Sequence, residues 1–101
     1  MILVRQVFQI KFNQMDKVLG ALQQAMDQGA DSGGVSRVLT DISGKNFTLV
    51  FETKAESLDA FWQDMQERFQ DAESAEQMNI ILPYIESGHR EFYTIEYEAG
   101  N

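Results

Sequence analysis

One imidazole, one indole, three phenols and a well-placed guanidinium set the limits of what this chain can do chemically. His89 is the sole histidine, so it alone has an unperturbed titration near neutral pH. It follows Ser87-Gly88, which reads as a helix stop where a cation complements the helix C-terminus. Both that structural role and general acid–base work are open to it. Catalytic residues are otherwise unassigned, which leaves His89 a weak candidate. Trp62 lies on an apolar stripe, Leu58, Phe61, Trp62, Met65 and Phe69, and serves either as core or as the wall of a pocket for a flat ligand. Arg90 suits an anionic ligand or an ion pair with Glu86 or Glu91. Tyr84, Tyr93 and Tyr97 bring hydroxyls to the rim of the core. Aromatic walls beside a few polar groups are how small-ligand sites are built. The expected ligand-binding set is therefore Trp62, Tyr93, Tyr97, His89 and Arg90, between helix and sheet.

Several chemistries are disfavoured. The chain has no cysteine, which removes disulfides, zinc–thiolate sites and thiol nucleophiles. One histidine without a convincing carboxylate cluster gives no metal site, and no cofactor is implied. There is no Ser-His-Asp order, phosphate-cradling glycine loop or catalytic carboxylate pair. A net charge of −8 repels phosphate backbones, so a nucleic-acid partner is not expected. No apolar run reaches the roughly 20 residues that span a bilayer. No membrane partner is expected, and a cytoplasmic location is.

The elements that must position these residues follow from changes in apolar period along 101 residues, which read as one domain over 1–101. Ile2 to Phe12 alternates as a strand. Asn13 is placed to cap a helix bearing Met15, Val18, Leu19, Leu22 and Met26, which Gly29 ends before Ala30-Asp31-Ser32-Gly33-Gly34. Val35 to Ser43 and Phe47 to Thr53 form a hairpin around Gly44-Lys45-Asn46. Ser57 caps a second helix to Phe69. A further helical stretch from Ser74 contains Pro83, and Glu91 to Glu98 is the last strand. The order βαββαβ is α+β, a ferredoxin-like plait with a four-stranded antiparallel sheet and helices on one face.

Helices on one side leave the other sheet face open. Val4, Phe8, Ile10, Phe47, Leu49, Phe51, Tyr93, Ile95 and Tyr97 are assigned to the helix-covered face. Leu3, Arg5, Val7, Gln9, Thr48, Val50, Glu52, Thr94 and Glu96 fall on the open face. Val38 and Ile42 suit the core. A face that mixes aliphatic and charged residues suits a second copy of the same sheet. Arg5 and Arg37 would then meet Glu52 and Glu96 across a two-fold axis, and a homodimer is expected.

The stretches Leu3-Val4-Arg5-Gln6-Val7-Phe8, Met15-Asp16-Lys17-Val18, Arg37-Val38-Leu39-Thr40-Asp41-Ile42-Ser43-Gly44 and Ile85-Glu86-Ser87-Gly88-His89-Arg90-Glu91-Phe92-Tyr93 resemble the dimeric α/β-barrel superfamily. More narrowly, they resemble its NIPSNAP-like small bacterial members. The resemblance covers essentially the whole chain and implies the plait fold and a dimer joined through its sheets. Other branches of that superfamily include cofactor-independent and haem-degrading monooxygenases. Trp62 matches the haem branch's tryptophan, but Gln6 or Gln9 replaces its asparagine and His89 lies too far from Trp62, so haem chemistry is not expected. Two functions stand at this point. One is a small-molecule-binding or interaction module, with a small aromatic ligand as the natural partner. The alternative is a cofactor-independent monooxygenase acting on an aromatic or polyketide-like substrate.

Overall fold

Strand β1 (Ile2–Ile10) lies at the heart of the sheet because two strands pair with it antiparallel, β3 (Thr48–Ala55) on one side and β4 (Ile85–Thr94) on the other. Strand β2 (Val35–Thr40) pairs antiparallel with β3, giving the order β2-β3-β1-β4. The computed structural model describes residues 1–29 and 34–100, so the expected connection at Ala30-Asp31-Ser32-Gly33 lies outside the described residues. Helices α1 (Met15–Asp27), α2 (Leu58–Phe69) and α3 (Ala72–Ile81) complete an α+β ferredoxin-like plait. None is long and apolar enough to cross a membrane.

The helices cover the face bearing Val4, Phe8, Ile10, Leu49 and Phe51. Ile10, Val18, Leu49 and Ile81 form its buried centre, with Met15, Leu19, Leu22 and Tyr84 packed around them. Ser57 caps α2 as its type predicts, accepting from the Ala60 amide at 3.1 Å. Asn13 does not cap α1. It adopts φ 63°, and the cap position falls to Gln14, whose side chain makes no capping bond.

Of the boundaries that differ from the periodicity, three matter for packing. The first strand stops at Ile10, leaving Phe12 mostly exposed against the Phe47 ring. The hairpin's first strand stops at Thr40, and Ile42, expected in the core, stands fully exposed in the turn. The third difference carries the most functional weight. The last helix ends at Ile81, a 3₁₀ turn over Leu82–Tyr84 uses Pro83, and β4 begins at Ile85 rather than Glu91. Ser87-Gly88 therefore lies inside the strand. Gly88 is needed there because a Cβ would meet the Phe8 ring at 2.8 Å and the Val7 carbonyl oxygen at 3.2 Å. A glycine selected for close packing had the look of a helix stop, and His89 is consequently a strand residue with no helix end to complement.

Candidate functional site

The pairing register sorts the candidate residues onto two faces. Along β4, Gly88, Arg90 and Phe92 stand beside Phe8, Gln6 and Val4 of β1 on the helix side. His89, Glu91 and Tyr93 stand beside Val7, Arg5 and Leu3 on the open side. Tyr93 was assigned to the helix-covered face and belongs to the other, because Phe92 takes the inward place. Tyr97 and Ile95 lie past the end of β4, and Tyr97 is largely exposed. The sheet thus separates Trp62 and Arg90 from His89 and Tyr93.

On the helix side, the edge strand and α2 build an aromatic ledge. Phe61 is buried and meets Trp62 and Phe92 edge-on, with ring centres 5.3 Å and 5.7 Å away. The guanidinium carbon of Arg90 lies 5.5 Å from the Phe61 ring centre and 5.5 Å from that of Trp62, the geometry of a cation–π contact. Its Nε donates to Gln6 Oε1 at 3.0 Å, and Gln6 Nε2 donates to the His89 carbonyl at 2.9 Å. Gln6, the polar exception in β1's alternation, is the residue that pins Arg90. Neither Glu86 nor Glu91 pairs with Arg90, and among the described residues it has no carboxylate partner. Trp62 remains 45% exposed, so one side of the ledge stays accessible.

The open face reads in rows across the strands. One row runs Arg37, Glu52, Arg5, Glu91, from β2 through β3 and β1 to β4. Glu52 is only 4% exposed, held by Arg37 Nε at 2.7 Å and by Arg5 Nε at 3.4 Å. The second approach gives charge attraction without hydrogen-bond alignment. Arg5 Nη1 donates to Glu91 Oε1 at 3.0 Å. The same oxygen accepts from the Tyr93 hydroxyl at 3.1 Å, while His89 Nε2 lies 2.9 Å from Glu91 Oε2. The hydrogen bond from His89 and then that from Tyr93 hold the Glu91 carboxyl below its ordinary value, with the Arg5 charge adding to them. Arg5 and Arg37 were expected to meet glutamates across a two-fold axis. They pair with Glu52 in their own sheet, because the register sets the three side by side. Glu96 lies past β4.

The next row is Leu39, Val50, Val7 and His89, which floors a hollow of about 570 Å³ also bounded by Arg5, Gln9 and Lys45. A second hollow of about 690 Å³ lies at the other end of the face, where Tyr93 and Tyr97 meet Leu3, Arg37 and Glu96. Gln6, Phe61, Phe92 and Glu91 were all missing from the expected site. Gln6 had left a signal, as a lone amide in an otherwise apolar row.

No protein-family model matches the sequence, and no curated protein matches it either. Solved structures do share its fold. An uncharacterised NIPSNAP domain protein from Burkholderia xenovorans superposes with a TM-score of 0.82 at 16% identity, over 100% of both chains. A NIPSNAP family protein from Agrobacterium tumefaciens gives 0.77 at 15% identity, over 92% of this chain and 90% of that one. A proposed antibiotic biosynthesis monooxygenase from Nitrosomonas europaea gives 0.66 at 13% identity, over 96% of this chain and all of its own. At these identities the likeness is one of fold, the fold of NIPSNAP proteins.

Proposed function

We propose that this chain is a small-molecule-binding module that works as a homodimer and takes a small planar aromatic anion on the Arg90–Trp62 ledge. The observation that carries the reading is Arg90. Its guanidinium is stacked on two rings and fixed by Gln6, and it lacks a carboxylate partner among the described residues. A partly desolvated guanidinium binds a carboxylate or enolate in its own plane, and the exposed face of Trp62 receives the ring. Trp62 is the sole tryptophan, so its fluorescence reports on the ledge directly. Titration with 1-naphthoate is expected to change that fluorescence to saturation, and Arg90→Met to abolish the saturable part. An unchanged curve in the variant would remove the reading.

Self-association is supported by the order of charges on the open face. The row Arg37, Glu52, Arg5, Glu91 alternates in sign and inverts about its midpoint. A two-fold axis parallel to the strands, between β1 and β3, lays Arg37 over the partner's Glu91 and Glu52 over the partner's Arg5. Every charge then faces its opposite, and Val7 and Val50 meet in the next row. Sedimentation equilibrium at micromolar concentration is expected to give twice the 11.5 kDa chain mass. A monomer throughout would defeat the pairing.

The monooxygenase alternative rests on the names of fold neighbours such as the Nitrosomonas europaea protein. The ledge offers it little support, because His89, the weak catalytic candidate, stands on the opposite face from Trp62. Oxygen uptake with a quinol substrate, lost in Arg90→Met, would revive it.

A further inference from the structure

We propose that Gln6 determines the charge the ledge selects: as a neutral amide it holds Arg90 and leaves the full guanidinium charge for the carboxylate of an aryl acid. The proposal rests on the ledge reading above. Gln6 is the polar side chain in the inward row Ile2, Val4, Gln6, Phe8, Ile10 of β1, and it stands beside Arg90 in the β1–β4 register. Arg90 Nε donates to Gln6 Oε1 at 3.0 Å, and Gln6 Nε2 donates to the His89 carbonyl oxygen at 2.9 Å. These two partners fix the orientation of the amide. A guanidinium only donates and a carbonyl only accepts, so Oε1 must face Arg90 and Nε2 must face His89. A glutamate at this position would set a second acceptor against the His89 carbonyl.

What stays open on Arg90 defines the ligand. Its Nε is engaged and its cation lies over Phe61 and Trp62, while Nη1 and Nη2 have no hydrogen-bond partner among the described residues. Two N–H groups on one edge of the guanidinium match the two oxygens of a planar carboxylate. The chain treats its other arginines differently. Arg5 and Arg37 share Glu52, and Arg68 reaches Asp64, so each of them has a carboxylate beside it. Arg90 is held by an amide instead, in a chain whose net charge is −8. If position 6 served only to fix Arg90, a carboxylate would grip it more firmly, since charge-assisted bonds are the stronger ones. That carboxylate would also cancel the charge that draws an anion, and the part-buried setting enlarges the effect. The amide keeps the grip and leaves the charge.

The test is calorimetric titration with three ligands on one ring system: 1-naphthoate, the neutral 1-naphthylmethanol and the cationic 1-naphthylmethylammonium. Wild type is expected to bind 1-naphthoate about tenfold more tightly than the alcohol, and the ammonium more weakly than either. In Gln6→Glu the three affinities are expected to converge, with that of the alcohol unchanged. A merely structural Gln6 would weaken all three together or none of them. Gln6→Met removes the grip without adding a charge, and it supplies a second reading that does not depend on a carboxylate folding against the His89 carbonyl. It is expected to weaken 1-naphthoate about threefold while still preferring it to the alcohol. A full preference for 1-naphthoate in folded Gln6→Glu overturns the proposal, as does an unchanged 1-naphthoate affinity in Gln6→Met. Either result, with wild-type binding still lost in Arg90→Met, strikes the role of Gln6 and spares the ledge. Absence of saturable 1-naphthoate binding in wild type overturns both.

Discussion

Gly88 shows how one missing methyl can decide the packing of an edge strand. In Gly88→Ala the new Cβ presses on a Phe8 ring, which can turn, and on the Val7 carbonyl, which cannot. Overpacking of this kind costs about 1–3 kcal/mol, and a urea melt of the variant should show it. Phe8→Leu in the same chain is expected to recover part of the loss. Glu91 makes a different residue-scale prediction. Its folded carboxyl titrates below its ordinary value, so the ionised form stabilises the fold above the usual carboxylate range. That contribution is lost as pH falls through the lowered folded value. Glu91→Gln is therefore expected to flatten the acid limb of a stability-against-pH curve in that window and to leave its neutral slope unchanged. An unaltered acid limb would show that the three hydrogen-bonding neighbours contribute nothing to folding.

At the scale of elements, α2 was the most legible part of the chain because its signals agree. Ser57 caps it, and the Leu58, Phe61, Trp62, Met65, Phe69 spacing fits one helical stripe. Ser57→Ala is expected to cost about 1 kcal/mol, seen as a lower thermal midpoint. The order of strands and helices was equally plain, since each change of apolar period marks an element. Strand β4 was misread for two physical reasons. Gly88 carries the same residue type as a helix stop, although its cause lies across the sheet on Phe8. Phe92 and Tyr93 are both aromatic, so alternation alone did not say which points inward. That one-residue ambiguity sent Tyr93 to the wrong face and dispersed the expected site. No local pattern links Gln6 to Arg90, or Arg5 to Glu91, because partners 84 and 86 residues apart are joined only by sheet register. Trp62 and Arg90 were singled out from their chemistry, and the structure brings that pair together.

For the whole molecule, the alternating row makes a prediction that no single protomer can satisfy. Arg37→Glu sets a carboxylate beside Glu52 in its own sheet and, in the proposed dimer, over the partner's Glu91. Association should weaken at least tenfold, since like charges across an interface cost about several kcal/mol. Adding Glu91→Arg should restore part of it. The two positions lie on opposite edge strands, so any rescue must come from across the axis. Sedimentation of the single and double variants reads this directly, and absence of rescue would reject the axis. The place of β1 has another effect, on the time course of folding. Its hydrogen bonds go to β3 and β4, and the latter arrives 86 residues later at the Arg5–Glu91 pair. A growing chain holds its central strand without β3 until about half of the sequence is present, and without β4 until nearly all of it is. Closing such distant pairs is slow, taking about milliseconds to seconds where non-local sheet contacts dominate. Until β4 arrives the apolar alternation of Ile2 to Ile10 keeps at least one unpaired edge, and nascent copies of this strand are its most available wrong partners.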